Sequence, residues 1–205
     1  FSFFLSTISR FNSIATFLRG ILKLLRISNN LELSSTVFIL PFNFIFIFFF
    51  FVYKRQMNNK IIIINGPNIN LLGEREQSQY GSITLEKLKE NCLKKSEELG
   101  LIVEFAQSNV EGELVNIIQN SRKKFDGIII NAAAFTHTSV AIRDALDIFK
   151  KPIIEIHMSN IYKREEFRKK SLISDVVTGG MFGLGDNGYI LAIISMQKLL
   201  KNENR

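Results

Sequence analysis

One of the chain's two histidines ends an apolar segment, in the stretch "PIIEIHMSNIYKREEFR" at 152–168. The run before His157 already contains a carboxylate, Glu155. Because side chains alternate along a strand, Glu155 and His157 fall on the same side, where the carboxylate could orient the imidazole for acid–base chemistry. Taken alone, His157 is better explained as a structural histidine that bonds to Glu155 or to the backbone. Glu155 and His157 therefore indicate a functional site only if other residues suited to chemistry lie near them.

Other residues suited to chemistry also follow predicted strands. The first strand is followed by Gly66, Asn68 and a loop with Arg75 and Tyr80, and the third ends at Asn131, shortly before His137. The fourth strand is followed by a polar and basic group, namely Ser159, Asn160, Arg164 and Arg168. In parallel sheets ligands bind beyond the carboxyl ends of the strands, so these residues are expected to converge on one rim.

Each of these residues also has a structural explanation. Tyr80 could anchor a loop, and Asn68 and Asn131 could be turn residues, since asparagine tolerates turn backbones. The arginines could form the solvated face of a helix, paired with the acidic residues at 165 and 166. The joint placement of all of them at strand ends favours a ligand site.

Strand and helix patterns alternate from Met57 onward. The apolar pattern predicts strands at 60–65, 101–107, 127–131, 152–157 and 174–180, with "KIIIIN" buried on both faces. Thr84 and Gly100 are predicted to cap the first helix, and further helices are predicted around 114–118, 142–149 and 188–201. This alternation predicts an α/β fold, a flavodoxin-like doubly wound five-stranded parallel sheet with helices on both faces.

Residues 1–56 have a different composition. They hold 13 of the 19 phenylalanines, and the tract 36–53 carries no charge over a length that could form a membrane helix. We interpret 1–56 as upstream translated sequence or a dispensable extension, with an anchor or targeting segment as the alternative. The domain is then 57–205, and membrane contact is expected only if the 36–53 tract is present and inserted.

Charge and cysteine content exclude several classes of function. Of the net charge of +7, a surplus of +5 lies in 1–56, which leaves 20 basic and 18 acidic groups in 57–205. That near-balance makes nucleic acid a poor candidate partner, although a small anionic substrate remains possible. The single cysteine, Cys92, cannot form an internal disulfide and predicts a cytoplasmic protein.

No cofactor or metal motif is recognised. The glycines at 179–188 follow the fifth strand, whereas a dinucleotide fingerprint follows the first, and "NGPNINLLG" lacks the Gly-Lys-Ser/Thr of a P-loop. Two histidines and one cysteine cannot build a typical zinc site. We therefore predict neither metal nor cofactor.

Four motifs together resemble the type II 3-dehydroquinate dehydratase family. They are "NGPNINLLGERE…YG", "EGELVNIIQ", "INAAAFTHTSVAIRDAL" and "IEIHMSNIYKREEFR", and the likeness runs from about Lys60 to the C-terminus. The resemblance implies a hydro-lyase that removes water from 3-dehydroquinate through an enolate, with neither a Schiff base nor a metal. That reaction belongs to the shikimate pathway, which leads to chorismate and the aromatic amino acids.

The resemblance also implies catalytic roles. Tyr80 matches the base that takes the proton alpha to the ketone, and Arg75 matches the cation that a phenol needs to act as a base at neutral pH. His157 matches the general acid, supported by Glu155, and Asn68 matches the residue that holds a water against the enolate oxygen.

Substrate-binding roles are implied in the same way. Asn131, His137 and Arg168 match residues that bind the substrate hydroxyls and carboxylate, and Met158 and Ser159 match the pair that grips the carboxylate. A further match, Asp144, is supplied in the family by a neighbouring subunit, which implies trimers that commonly assemble into dodecamers. Arg164 is expected to help hold the loop that carries Arg75 and Tyr80, or the assembly of subunits.

The sequence departs mildly from the family pattern. Gln77 stands where proline is common, Ala132-Ala133 replace a frequent Pro-Gly, and Tyr162-Lys163 replace a common His-Ala. Two alternatives remain at this stage, a flavodoxin-like module that binds an anion or nucleotide and a membrane-tethered binding protein that has lost activity.

Overall fold

The computed structural model describes residues 59–74 and 83–203. Within them lie five strands and four α-helices, in the order β1 (Lys60–Asn65), α1 (Leu85–Leu99), β2 (Ile102–Gln107), α2 (Glu111–Ser121), β3 (Gly127–Asn131), α3 (Val140–Asp147), β4 (Ile153–His157), β5 (Gly179–Phe182) and α4 (Asn187–Glu203). In this part of the chain, no helix has both the length and the apolar character needed to cross a membrane. The 1–56 segment, Arg75 and Tyr80 lie outside the described residues, so the expectations for them stay predictions.

The five strands form one parallel sheet in the order β2-β1-β3-β4-β5. This is the flavodoxin-like doubly wound order, which confirms the predicted fold. The order in which strands are added reverses between β1 and β3, because β2 lies on one side of β1 and the later strands lie on the other. The last residues of β1 and β3, Asn65 and Asn131, lie side by side.

Strand β1 is buried on both faces, as its continuous apolar run predicts. Ile61 and Ile63 belong to the core beneath α1 and α4, whereas Ile62 and Ile64 belong to the core beneath α2 and α3. The two layers of helices thus hold the strand ends in fixed positions.

Helix ends follow the predicted capping signals. The Thr84 hydroxyl accepts a hydrogen bond from the backbone N–H of Lys87 at 3.2 Å, and Gly100 ends α1 in the left-handed conformation with φ 70°. Ser139 caps α3 in the same way, accepting from the N–H of Ile142 at 2.9 Å.

The predicted fifth strand is present, but its predicted bounds of 174–180 were wrong, because β5 spans Gly179–Phe182. The valines at 176 and 177 suggested a strand, but they pack as a loop against the core on the α2–α3 side. The preceding residues are held by side-chain contacts instead of a ladder, since Ser174 donates to Glu155 and Asp175 pairs with Arg143 at 2.7 Å. The strand begins only where Thr178 joins the backbone of Ile153.

Candidate active site

A cavity of about 90 Å³ opens at the carboxyl ends of β1, β3 and β4. Seven of the residues predicted from the sequence line it. They are Asn68, Asn131, His137, His157, Met158, Ser159 and Arg168, joined by Pro67, Ile69, Ala133, Ala134, Ile161 and Arg164.

The turn after β1 carries Asn68 to this cavity. Asn68 adopts the left-handed conformation, with φ 66°, and its N–H donates to the Asn109 side chain at 2.9 Å. Gly66 lies so close to β3 that a Cβ there would stand 2.4 Å from the carbonyl oxygen of Ala132. Asn68 is therefore both the turn residue of the structural alternative and a residue of the cavity wall.

Asn131 is held by a buried phenol on α4. Its amide donates to the Tyr189 hydroxyl at 2.8 Å, and that hydroxyl donates to Asn65 Oδ1 at 2.7 Å. Burial raises the pKa of Tyr189, so the phenol keeps its hydrogen. The Asn131 oxygen accepts from the N–H of Ala133 at 3.3 Å, which fixes the amide in one orientation.

His137 ends the short turn Ala133–His137 and is bonded to the backbone. Its Nδ1 lies 2.8 Å from the carbonyl oxygen of Lys170, which can only accept, so Nδ1 carries the hydrogen. Burial lowers the pKa of His137, and the nearby His157 and Arg168 act in the same direction, against the bond to Lys170. The neutral ring then presents Nε2 as a hydrogen-bond acceptor.

His157 is bonded to a buried carboxylate, which confirms the predicted contact with Glu155. Its Nε2 lies 2.8 Å from Glu155 Oε1, and Glu155 is 0% exposed. Burial alone would raise the pKa of Glu155, but hydrogen bonds from His157, Ser174 and Ser171 outweigh it and lower the pKa below its ordinary value. The carboxylate thus stays ionised and faces Nε2, which leaves Nδ1 of His157 for a ligand.

The imidazole of His157 lies between two other rings. The His137 ring is 6.0 Å away, and the Phe182 ring stacks on it at 5.5 Å with an interplanar angle of 17°. Phe182 is opposite His157 in the β4–β5 register, and its ring folds back over Gly180, where a Cβ would approach it to 2.5 Å. Glycine at 180 is thus what allows the phenyl ring to lie against His157.

Two guanidinium groups form the basic wall. Arg164 and Arg168 line the cavity, and their Nε atoms lie 3.4 and 3.1 Å from the same Glu165 oxygen. The pairing with an acidic neighbour that the structural alternative required is therefore present. Both guanidinium groups nevertheless line the cavity, where they can meet an anionic ligand.

Asp144 does not join the other predicted residues. It is exposed on α3 and pairs with Arg143 at 3.2 Å, outside the cavity lining. Within the described residues, no group of three or more His, Cys, Asp or Glu side chains is placed to hold a metal ion.

Sequence reasoning missed four residues that hold the site together: Ser171, Ser174, Phe182 and Tyr189. The serines precede and begin the segment 174–180, which the sequence predicts to be a strand, and the sequence places Tyr189 only within the last helix. The only sequence signal for these residues is the three-residue spacing of the two serines. Serine is so common in loops that this spacing does not indicate a role in the site.

The sequence profile of the Dehydroquinase class II family matches residues 59–197. A protein named 3-dehydroquinate dehydratase from Prochlorococcus marinus (strain NATL1A) is 52% identical over 141 residues, which cover 69% of this chain and 97% of the relative. Another of that name from Francisella philomiragia is 54% identical over 134 residues, covering 65% of this chain and 91% of the relative.

Solved structures give the same result. The type II dehydroquinase of Propionibacterium acnes matches with a TM-score of 0.68 and 40% identity, over 70% of this chain and 99% of that one. The type II dehydroquinase of Butyrivibrio crossotus DSM 2876 matches with a TM-score of 0.67 and 42% identity, over 68% of this chain and 97% of that one. With a profile match over more than half its length and a cavity lined by the expected side chains, the chain belongs to the class II dehydroquinase family.

Proposed function

We propose that the chain catalyses the dehydration of 3-dehydroquinate to 3-dehydroshikimate, as a hydro-lyase of the shikimate pathway. Membership of the family and the names of its relatives support this reaction. The observation that carries it is the cavity in which His157, backed by ionised Glu155, shares a wall with Arg168. This combination suits acid–base chemistry on a small carboxylate, which a nucleotide-binding module would not need.

The proposed reaction moves one proton to the protein and one to the leaving group. Tyr80, with its phenolate favoured by Arg75, takes the proton alpha to the ketone, and the electron pair of that C–H bond forms the enolate. Asn68 holds a water against the enolate oxygen. The enolate then collapses, the adjacent C–O bond breaks, and His157 protonates the departing hydroxyl, which leaves as water.

Recognition of the substrate is divided between the walls of the cavity. Arg168 binds the carboxylate as a fork, together with the hydroxyl of Ser159 and the backbone of Met158. Asn131 and the acceptor nitrogen of His137 bind substrate hydroxyls. The fixed orientations of Asn131 and His137 support this division, because both side chains are bonded to protein groups on their far sides.

We further propose that the active form is an oligomer of trimers, up to a dodecamer. Asp144 supports this proposal, since its carboxylate is exposed away from the cavity of its own chain and is available to a neighbouring copy. The catalytic domain is proposed to be 57–205, with 1–56 no part of it. A cytoplasmic location stays a prediction that rests on the free, buried Cys92.

The test is an assay of the purified full chain with 3-dehydroquinate. Ultraviolet absorption from the conjugated enone of the product is expected to appear, and borohydride added with substrate is expected to leave the enzyme active. No absorption change at high enzyme concentration would overturn the proposed reaction. Covalent trapping on a lysine would overturn the enolate route that lacks a Schiff base.

A further inference from the structure

The segment 170–174 is bonded to both histidines of the site. The Lys170 carbonyl accepts from His137, while the hydroxyls of Ser171 and Ser174 donate to Glu155, the partner of His157. The segment is itself fixed, because Ile173 is fully buried and the N–H of Leu172 donates to the Thr136 carbonyl at 2.8 Å. Its serines do not line the cavity, so they are placed to act on the histidine pair and not on a ligand.

The Ser171 hydroxyl can point in one direction only. Its oxygen accepts from the N–H groups of Ile173 and Ser174, at 3.2 and 3.1 Å. A serine hydroxyl has two acceptor positions and one hydrogen, so both acceptor positions are used and the hydrogen is left for Glu155 Oε1 at 2.8 Å. Ser171 therefore cannot accept a hydrogen from a protonated Glu155, and its contact favours the ionised carboxylate.

Both oxygens of Glu155 have donors. Oε1 accepts from Ser171 and faces Nε2 of His157, and Oε2 accepts from Ser174 at 2.5 Å. A fully buried carboxylate is tolerated in ionised form only when hydrogen bonds or a charged partner replace its hydration. Among the residues that the structure describes, the charged and titratable groups of other segments that line the same cavity are His137, Arg164 and Arg168.

We propose that Ser171 and Ser174 are positioning residues that hold Glu155 as an anion and thereby keep a hydrogen on Nε2 of His157. Nδ1 is then the nitrogen that exchanges a proton with the ligand. This inference rests on the proposed dehydratase function and adds two residues to its machinery. Without the two hydroxyls, Glu155 competes with His157 for the proton, and the ring loses its fixed hydrogen.

Nuclear magnetic resonance of the resting full chain tests the proton positions without catalysis. The chain has two histidines, so ring ¹⁵N spectra contain two imidazoles, which His137→Gln assigns. Neutral His157 is expected to carry its hydrogen on Nε2. In the Ser171→Ala/Ser174→Ala protein, the pKa of the Glu155 carboxyl is expected to rise, because hydrogen bonds to the charged form are lost. An unchanged Glu155 pKa, or a hydrogen on Nδ1 of neutral His157, would overturn the proposal.

Kinetics of single variants test whether the hydrogen bond from Ser174 to Glu155 affects turnover. Ser174→Ala is expected to lower kcat about 10- to 100-fold, the worth of one hydrogen bond to a charged group, with KM changed less than about twofold. Ser174→Thr, which keeps the hydroxyl, is expected to restore most of the rate. Ser121→Ala is the matched control, since that buried hydroxyl donates to a helix carbonyl at Ile117 and should leave kcat unchanged.

A double-mutant cycle separates action through Glu155 from a general structural effect. In a Glu155→Gln background, Ser174→Ala is expected to cause no further loss of kcat. Additive losses, or a rise in KM with unchanged kcat, would overturn the positioning role. An inactive wild-type chain would overturn the proposed function, whereas the spectra of the resting protein decide the proton positions by themselves.

Discussion

The ends of β3 and β4 each deliver a histidine to the same cavity, but they give the two rings different partners. The ring after β3, His137, bonds to a backbone carbonyl, whereas the ring that ends β4, His157, bonds to a buried carboxylate. A carbonyl has no net charge, so burial favours the neutral form of His137. The partner of His157 is instead an anion, because hydrogen bonds hold the pKa of Glu155 below its ordinary value.

This difference leaves two imidazoles, whose centroids lie 6.0 Å apart, with different nitrogens bonded to the protein. A neutral ring with a fixed hydrogen on Nδ1 can accept a hydrogen bond from a substrate hydroxyl at Nε2 and so contribute to substrate recognition. A ring whose Nε2 is bonded to an anion can give up a proton from Nδ1 and take part in the reaction. The proposed roles of the two rings therefore follow from the hydrogen-bond partner of each ring.

The largest expected effect on kcat comes from replacing His157, the proposed proton donor. His157→Gln is expected to lower kcat by about a thousandfold, because general acid catalysis contributes factors of about 10² to 10⁴. Steady-state kinetics in the enone assay measure this loss, with circular dichroism as the check on folding. A kcat within a few-fold of wild type would assign the acid to another residue.

His137→Gln is expected to have the opposite kinetic signature. The loss of one neutral hydrogen bond to the substrate should raise KM about 3- to 10-fold, while kcat falls much less. The same assay, run over a range of substrate concentrations, separates the two constants. If kcat falls as far as in His157→Gln, the two rings do not have separate roles.

His137 and Glu155, the carboxylate bonded to His157, are also expected to affect the free energy of unfolding in different pH ranges. The pKa of His137 is lowered from its ordinary 6.5, so the unfolded chain binds more protons and stability falls as pH drops below about 6.5. The pKa of Glu155 is lowered from 4.5, so its contribution is lost in a separate window below about pH 4.5.

Urea unfolding at a series of pH values measures these two windows. The His137→Gln chain should lose less stability than wild type as the pH falls below about 6.5, and Glu155→Gln should lose less as the pH falls below about 4.5. Equal pH dependence in wild type and His137→Gln would contradict the assigned neutral ring.

The smallest expected effect concerns the turn that carries His137. Ala133 has φ 51°, a left-handed conformation that is strained for alanine. Ala133→Gly should raise the free energy of unfolding by about 0.5 to 1 kcal/mol, since relieved strain exceeds the added chain entropy. Thermal unfolding measures the gain. Ala132→Gly is the control, because φ there is −70° and glycine should destabilise the fold.

Much of the fold could be predicted from the sequence because its signals are local. The apolar runs of β1 and β3 and the caps of α1 need no knowledge of distant residues. The fifth strand could not be located, because Val176 and Val177 have strand composition but are used to fill the core from a loop. Composition does not distinguish these two uses of valine.

The site was predictable where residues with unusual chemistry end a strand, as with Glu155 and His157. The residues that hold those groups were not predictable, since Ser171, Ser174 and Phe182 are ordinary types whose role comes from cross-strand register and loop path. Asp144 shows a further limit, because it lies exposed outside the cavity, and its contact with a neighbouring copy stays a proposal.

The hydrogen bonds of Tyr189 have a consequence for the order of assembly during synthesis. The phenol lies on α4 and joins the ends of β1 and β3, with a separation of 124 residues between Tyr189 and Asn65. On the ribosome, the strands can be translated well before this helix emerges. The hydrogen bonds that orient Asn131 can therefore form only after α4 has been translated and has docked, so β1 and β3 are made well before this wall of the pocket is complete.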